Sequence, residues 1–287
     1  MIKKLIYNSQ VNFFIRNLCY FFKALIPNNL RIPVSGIFKL KVEKNLNLKI
    51  STNQTSYISK QLFWEGSENY EYTPIFKSIL KETKTFIDIG ANFGYYSLLA
   101  AKLNKNIKVF AFEPSPGPFV YLKENIKINK LKNIEVFKLA LSDFSGLLDF
   151  YEVRNRKYKN VPNLSGEHNT GSKKHLNTNK IKVKCEKLDS IFRGDDIEKI
   201  DLIKIDVEGS ENQVIIGAIE IIRKVKPTII CEILEQKKAE LIEKKLISLG
   251  YLIYVHHNNK LLKVDNIQVR NYIKKDFFFI HPKRIIE

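Results

Sequence analysis

The sequence predicts an α/β fold with a mostly parallel sheet, helices on both faces of that sheet, and a small N-terminal extension. From residue 85 onward, short apolar runs alternate with segments of helical character, which is typical of a parallel sheet. The first run, residues 86–89, contains Asp88 and leads through a glycine-bearing loop into a helix. An apolar fraction of 44% in 287 residues is sufficient for a large core.

The extension is predicted to occupy residues 1–80, as a helical and hairpin segment that also forms a lid. Alternating residues at 37–42 and 46–50 predict a hairpin, and Pro74 predicts the start of a helix over 73–81. Residues 2–26 mix large apolar side chains with lysine and arginine. This mixture is typical of an interfacial amphipathic helix, and equally of a helix packed on the main domain. Charges interrupt the segment too often for a membrane span, and no small-residue cleavage site predicts a secretory signal.

The main domain is predicted over residues 81–287. Its strands are predicted at residues 86–89, 108–112, 134–139, 202–205, 228–231, 251–255 and 276–280. Its helices are predicted at residues 95–103, 116–129, 211–223 and 236–249. Residues 152–180 interrupt this alternation of strands and helices with a polar, basic stretch. An insertion of this length is usually functional or disordered.

The formal net charge of +18 raises the alternative of a basic nucleic-acid-binding protein. Only eight of the 48 basic residues are arginine, the residue that favours bidentate contacts with phosphates and bases. We therefore expect mostly solvated surface charge, with a weak attraction to anionic membranes or glycans, and no specific nucleic-acid partner. Three widely separated cysteines favour a reducing, cytoplasmic setting.

The glycine loop after the first strand separates Gly90 and Gly94 by three residues. The dinucleotide fingerprint G-x-G-x-x-G is therefore absent, and with it the close approach of backbone to a pyrophosphate. This spacing disfavours a dinucleotide-dependent oxidoreductase. A loop of this kind preceded by Asp88 suits a nucleoside ligand that carries no phosphate.

Glu113 follows the second strand, 25 residues after Asp88. An acid at this place can accept both hydroxyls of a ribose, although it could also stabilise the start of the next helix. Ser142 and Asp143 follow the third strand. They could contact an adenine edge or simply form a turn.

Three carboxylates leave the carboxyl end of the fourth strand, at Asp206, Glu208 and Glu211. One of them could act as a general base or orient an acceptor. Helix capping with Ser210 explains Glu211, but it explains Asp206 poorly, because a charge at a buried strand end is costly without a partner. Asp206, Glu208 and Glu232 could also hold a divalent cation. Their spacing is not diagnostic, so we predict no metal.

Four histidines are alternative bases or ordinary surface residues: His168, His175, His256 and His257.

Taken together, these motifs resemble the FkbM family of S-adenosylmethionine-dependent methyltransferases. The resemblance covers roughly residues 60–235. It is carried by WEG at 64–66, YE at 70–71, FIDIGANFGYYS at 86–97, FEP at 112–114, ALSD at 140–143, LDSI at 188–191 and KIDVEGSE at 204–211.

The resemblance implies a Rossmann-like class I methyltransferase fold with a seven-stranded sheet, whose last strand, residues 276–280, runs antiparallel. It implies S-adenosyl-L-methionine as cofactor and O-methylation as the reaction. The implied cofactor-binding residues are Asp88, Gly90, Ala91, Asn92, Gly94, Glu113, Ser142 and Asp143. Glu113 would hold the ribose and Ser142 with Asp143 the adenine. The implied catalytic residues are Asp206 and Glu208.

The predicted function is methylation of a hydroxyl on a sugar, glycan or glycolipid-type acceptor, in polysaccharide biosynthesis. The alternative acceptor is a secondary metabolite. Residues 1–55 and the insertion 152–180 match no motif of the family, and we expect them to select the acceptor. The predicted location is cytoplasmic, with residues 2–26 suited to weak peripheral association at the inner face of the membrane.

Overall fold

The computed structural model describes residues 5–155, 157–158, 160–171, 177–194, 199–268 and 275–284. The first part of the chain forms helix α1 (Ser9–Phe21), the antiparallel hairpin of β1 (Gly36–Glu43) and β2 (Leu46–Thr52), and helices α2 (Tyr57–Glu65) and α3 (Thr73–Ile79). The hairpin confirms the predicted one. It forms because alternate residues such as Phe38 and Leu40 are buried on one face.

The remaining strands follow in chain order: β3 (Thr85–Ile89), β4 (Lys108–Phe112), β5 (Ile134–Phe137), β6 (Ala140–Leu141), β7 (Gly146–Val153), β8 (Thr178–Glu186), β9 (Leu202–Ile205), β10 (Thr228–Glu232), β11 (Leu252–His257), β12 (Lys260–Val264) and β13 (Asp276–Ile280). The remaining helices are α4 (Tyr95–Leu103), α5 (Pro116–Asn129), α6 (Leu188–Ile191), α7 (Glu211–Gly217), α8 (Ile219–Val225) and α9 (Gln236–Ser248).

Within the described residues the main sheet has eight strands in the order β12-β11-β13-β10-β9-β3-β4-β5. Strands β5, β4, β3, β9 and β10 pair in parallel, and β13 runs antiparallel between β10 and β11. The mostly parallel sheet and its antiparallel last strand are thus confirmed. The eighth strand, β12, was not predicted, because it is a largely exposed edge strand with no continuous apolar run.

Both faces of the main sheet are covered, because consecutive side chains of a strand point to opposite faces. Ile87 and Ile203 pack in one core with residues of α7, α8 and α9. Phe86 and Leu202 pack in a second core with residues of the hairpin, α3 and α4. The hairpin is therefore part of the main hydrophobic structure.

The predicted helix 211–223 is divided into α7 and α8 at Ala218. Gly217 lies against the turn after β6, where an added Cβ atom would come within 1.9 Å of the Ser142 carbonyl oxygen. This close approach requires glycine. It fixes α7 against the Ser142 turn.

The insertion is flanked by the antiparallel strands β7 and β8, which form a separate small sheet with β6. The sequence did not predict these two strands, because β7 exposes an apolar residue, Leu147, and β8 carries lysines on its exposed face. Asp149 pairs there with Lys180 at 2.8 Å and with Lys182 at 2.5 Å. Val183 and Cys185 alternate with the lysines of β8 and are buried.

No helix within the described ranges has both the length and the apolar character needed to cross a bilayer.

Candidate active site

A cavity of about 260 Å³ lies at the carboxyl ends of β3, β4, β9 and β10. Open parallel sheets bind their ligands at this edge. Seven of the ten predicted site residues line the cavity: Asp88, Gly90, Ala91, Asn92, Glu113, Asp206 and Glu208. The other three, Gly94, Ser142 and Asp143, are outside the described lining. The neighbours of Ser142 on the chain, Leu139 to Leu141, line the cavity in their place.

The glycine loop crosses closely over the end of β9. Gly90 has a φ of +79°, and an added Cβ atom would lie 1.8 Å from the carbonyl oxygen of Asp206. The N–H groups of Gly90 and Ala91 both donate to the Phe112 carbonyl at 3.0 Å. Gly94 begins α4 with a φ of +97° and packs against Leu122. The two glycines therefore shape the loop, and of the two Gly90 lines the cavity.

Glu113 is almost fully buried beside this loop. Its Oε2 accepts a hydrogen bond from the Asn92 N–H and its Oε1 one from the Ser115 N–H, both at 2.8 Å. Burial raises the pKa of Glu113 to about 7, although the two N–H groups act in the opposite direction. Because each carboxylate oxygen can accept two hydrogen bonds, each keeps a lone pair for a further donor. The carboxylate can thus accept two adjacent hydroxyls.

A buried lysine lies between two of the predicted site residues. Lys204 Nζ lies 3.0 Å from Asp206 Oδ2 and 3.8 Å from Asp88 Oδ1. Burial alone would lower the pKa of Lys204, but the carboxylates of Asp206 and Asp88 raise it above its ordinary value. The pKa of Asp88 is raised by burial, and Lys204 and a 2.6 Å hydrogen bond from Ser97 Oγ oppose that rise. No role for Lys204 was predicted from the sequence, although a lysine inside a buried strand indicates an acidic partner.

Asp206, Glu208 and Glu232 place one carboxyl oxygen each within 4.8 Å of one another. Burial, and then the charges of Asp206, Asp276 and Glu208, raise the pKa of Glu232 well above its ordinary value. This shift favours the protonated form of Glu232 beside Asp206. The spacing would suit a cation, but Lys204 already neutralises Asp206. The prediction that no metal is used stays a prediction.

Glu71 also lines the cavity. Its Oε2 accepts a hydrogen bond from the Tyr96 hydroxyl at 2.8 Å. Burial, and then the nearby charge of Asp276, raise the pKa of Glu71 above its ordinary value. The sequence pointed to Glu71 only through its place in the Tyr70-Glu71 motif.

The insertion and the N-terminal extension meet over the cavity. Leu164 N donates to Thr55 Oγ1 at 2.8 Å, and the Asn53 side-chain amide donates to the Pro162 carbonyl at 2.9 Å. Thr170 of the insertion shares a hydrogen bond with Ser210. Side chains from both segments line the cavity: Tyr57, Ile58, Gln61, Ser165, His168 and Thr170.

The histidines differ in their surroundings. His168 Nδ1 accepts from the Val153 N–H at 3.0 Å, and its Nε2 lies 2.7 Å from the Asn163 carbonyl. Burial lowers the pKa of His168, so it is a neutral residue that holds the insertion together. His256 lies 3.8 Å from Asp276, His257 is exposed, and His175 lies outside the described residues.

The lining is strongly acidic. Among the described residues it holds one lysine, Lys204, and six carboxyl groups, those of Glu71, Asp88, Glu113, Asp206, Glu208 and Glu232. Such a cavity favours a cationic ligand, and Glu113 adds an acceptor for a pair of hydroxyls. These features fit a nucleoside with a positive charge, as in the sulfonium of S-adenosylmethionine.

The family model described as the methyltransferase FkbM domain matches residues 88–269, more than half of the chain. The chain is 30% identical over 153 residues to the 2-O-methyltransferase NoeI of Sinorhizobium fredii, a match that covers 51% of this chain and 62% of that relative. It is 25% identical over 193 residues to the methyltransferase sdnD of Sordaria araneosa, covering 60% of this chain and 71% of the relative.

A third relative is the 31-O-demethyl-FK506 methyltransferase FkbM of Streptomyces tacrolimicus, which is 27% identical over 163 residues, 48% of this chain and 60% of the relative. Among solved structures, a methyltransferase FkbM from Methylobacillus flagellatus overlaps with a TM-score of 0.44 and 16% identity, over 69% of this chain and 43% of that one.

Proposed function

The chain belongs to the FkbM family of methyltransferases and uses S-adenosylmethionine as methyl donor, and on this premise we propose that it methylates a hydroxyl oxygen of a sugar, glycan or glycolipid-type acceptor. The observation that carries the proposal is the close approach of the Asp206, Glu208 and Glu232 carboxyl oxygens, within 4.8 Å of one another, on the cavity that also contains Glu113. One cavity thereby combines a place for a nucleoside with a carboxylate able to receive a hydroxyl proton.

The cofactor half of the cavity is assigned to the residues after β3 and β4. Glu113 would accept the two ribose hydroxyls, and the loop from Gly90 to Asn92 would lie against the remainder of the cofactor. When bound, S-adenosylmethionine supplies a methyl carbon made electrophilic by its sulfonium. The assignment of Ser142 and Asp143 to the adenine stays a prediction, since the cavity is lined by Leu139 to Leu141 at that point.

The part of the cavity that would hold the acceptor hydroxyl is assigned to Asp206, with Glu208 beside it. Asp206 is held from two sides: its N–H donates to the Ile89 carbonyl at 3.0 Å, and its Oδ2 receives Lys204 Nζ at 3.0 Å. Asp206 would accept the proton of the acceptor hydroxyl as the oxygen attacks. Because burial and the neighbouring carboxylates raise the pKa of Glu232, Asp206 is the better placed of the two to receive that proton. The main contribution to rate would be orientation of the hydroxyl toward the methyl group.

The choice of a carbohydrate acceptor is supported by the wall over the cavity. Gln61, Ser165 and Thr170 offer both donors and acceptors, which matches the many hydroxyls of a sugar. Tyr57 lines the same cavity and is 63% exposed, so its ring can pack against the apolar face of a sugar. Two of the relatives bear names that specify O-methylation. A place in polysaccharide or glycolipid assembly follows as part of the proposal.

The proposal is tested with the purified chain, isotopically methyl-labelled S-adenosylmethionine, and a panel of nucleotide sugars, oligosaccharides and lipid-linked sugars. We expect label in an alkali-stable ether on a sugar oxygen, and its loss with Asp206→Asn. Label on a non-carbohydrate alcohol alone would refute the carbohydrate acceptor. Label on nitrogen or carbon would refute O-methylation.

A further inference from the structure

Helix α1 is packed with its polar side inward. Asn12 and Arg16, one turn apart, are both buried. Asn12 accepts the Ser35 N–H at 2.8 Å, and the Arg16 guanidinium donates to the carbonyls of Ser35 and Ile37 at the start of β1. Tyr20, a further turn along, contacts Phe63 of α2. These specific polar contacts fix which side of the helix faces the protein.

The opposite side of the helix is apolar and exposed. Phe14, Leu18 and Phe21 follow a helical spacing along one line of α1, and Leu25 lies in the turn just after the helix; we call these four residues the apolar stripe. Their exposed fractions are 72%, 65%, 83% and 80%. A contiguous row of large apolar side chains in water is unusual for a protein surface and marks an interaction site.

The surroundings of the apolar stripe are basic. Residues 1–42 contain seven lysines or arginines and no aspartate or glutamate. Lys23 is exposed next to the stripe, and Lys39, Lys41 and Lys49 are exposed on the outer face of the hairpin beside α1. An apolar surface beside these exposed lysines is complementary to an anionic lipid surface. The same charge disfavours contact with a second copy of this chain, because two such surfaces would repel each other.

We propose that α1 docks this protein on an anionic lipid bilayer, with the apolar stripe inserted at the boundary of headgroups and acyl chains and the surrounding lysines on the headgroups. The helix lies in the plane of the interface, because Asn12 and Arg16 hold its other side against β1. This docking surface lies outside the residues assigned to cofactor and acceptor. It is therefore independent of the proposed acceptor.

The test is co-sedimentation of the full chain with vesicles of phosphatidylcholine alone and of phosphatidylcholine mixed with phosphatidylglycerol. We expect binding to the mixed vesicles, weakening with added salt, and at least tenfold weaker binding to phosphatidylcholine alone. No binding to mixed vesicles at low salt would overturn the proposal.

The informative variant is Leu18→Ser combined with Leu25→Ser, and its matched control is Leu147→Ser combined with Leu241→Ser. The control leucines are 63% and 56% exposed, so both pairs remove the same atoms from exposed positions. We expect at least about tenfold weaker vesicle binding for the first pair only, with unchanged thermal melting and unchanged affinity for S-adenosylhomocysteine in both.

Two further results would contradict lipid docking. Equal vesicle binding by the two double variants would show that the apolar stripe does not contact lipid. A dimer in sedimentation velocity that the stripe variant alone dissociates would assign the stripe to a second copy of the chain.

The variant Lys39→Gln combined with Lys41→Gln should lower binding to mixed vesicles and leave binding to phosphatidylcholine unchanged.

Discussion

Lys204 Nζ lies 3.0 Å from Asp206 Oδ2 and 3.8 Å from Asp88 Oδ1, and the lysine is almost wholly buried in the sheet. One buried cation thus serves a carboxylate on each of the two neighbouring strands, β3 and β9. The lysine thus links Asp88, which precedes the glycine loop, to Asp206, which is assigned to the acceptor.

Replacing this lysine should destabilise the fold strongly. Lys204→Met leaves Asp88 buried without its cation, and we expect a loss of about 3–5 kcal/mol in the free energy of unfolding, measured by urea denaturation. Lys182→Met, at a lysine that is 62% exposed and paired with Asp149, is the control and should change little. Adding Asp88→Asn to Lys204→Met should recover part of the loss. Strictly additive losses would show that the two side chains are not coupled.

Glu113→Ala should weaken binding of S-adenosylhomocysteine at least tenfold, because it removes charge-assisted hydrogen bonds worth about 1.5–3 kcal/mol. Calorimetry measures this, with Glu124→Ala on the exposed side of α5 as control. The pKa of Glu113 is raised to about 7, and protonation removes acceptor capacity. Affinity of the native protein should therefore fall as pH decreases through about 7. An unchanged dissociation constant for Glu113→Ala would refute the ribose assignment.

Asp206→Asn should lower turnover by about 10²–10⁴-fold, the usual contribution of a general base, and change affinity for S-adenosylhomocysteine much less. Initial rates with saturating acceptor, together with calorimetry, separate the two effects. Glu208→Gln tests the second predicted catalytic residue under the same conditions. Equal losses of turnover and cofactor affinity for Asp206→Asn would make Asp206 a cofactor ligand instead.

The cluster of buried acids should make the ligand-free protein less stable as pH rises. The pKa values of Glu232, Glu71 and Glu113 are all raised, with burial the largest cause, so the folded state binds more protons than the unfolded state. Their favourable contribution is complete below about pH 4.5, the ordinary range of glutamate, and is lost as pH rises through the folded values. Thermal melting from about pH 5 to pH 9 measures the slope.

Glu232→Gln isolates the largest of these contributions. The amide keeps a donor for Asp206 but does not titrate, so the variant should retain activity at neutral pH and show a shallower loss of melting temperature at high pH. Glu220→Gln, on an exposed position of α8, should reproduce the native slope. A Glu232→Gln variant with the full native slope would show that Glu232 is ionised in the folded protein.

Thr55→Val should affect the acceptor and spare the cofactor. It removes the hydroxyl that accepts the Leu164 N–H at 2.8 Å and so loosens the insertion over the cavity. We expect a raised KM for the acceptor, with affinity for S-adenosylhomocysteine within about twofold of the native value. Thr228→Val, at a buried threonine at the start of β10, is the control. A large loss of cofactor affinity with an unchanged KM would contradict this role of the insertion.

The parallel core of the fold could be predicted from the sequence because strands β3, β4, β9 and β10 are short, almost wholly buried apolar runs. Strands β7, β8 and β12 were not predicted, because their apolar and polar residues do not alternate cleanly: β7 exposes Leu147, and lysines lie along β8 and β12. The division of α7 from α8 was not visible either. It depends on the contact of Gly217 with the Ser142 turn, which is distant in sequence.

The residues of the candidate site also fall into those that the sequence could identify and those that it could not. Asp88, Gly90, Glu113 and Asp206 could be identified from the sequence, because each follows or ends a buried strand and such ends share one edge of the sheet. Lys204 and Glu71 could not be given roles, because their partners Asp88 and Tyr96 lie more than 20 residues away in the sequence. Glu232 could be identified only as a possible cation ligand.

The sequence by itself therefore determined the α/β fold, the FkbM resemblance and the cofactor edge, because these follow from local periodicity and from residues at strand ends. Only the tertiary structure decided how Lys204 divides its charge between two carboxylates, how the insertion meets the extension, and which side of α1 faces water. Residues 2–26 were compatible with packing on the domain and with an interface, and the structure shows α1 packed by its polar side. The physical reason is that burial and partner choice are set by contacts between segments distant in sequence, which periodicity cannot encode.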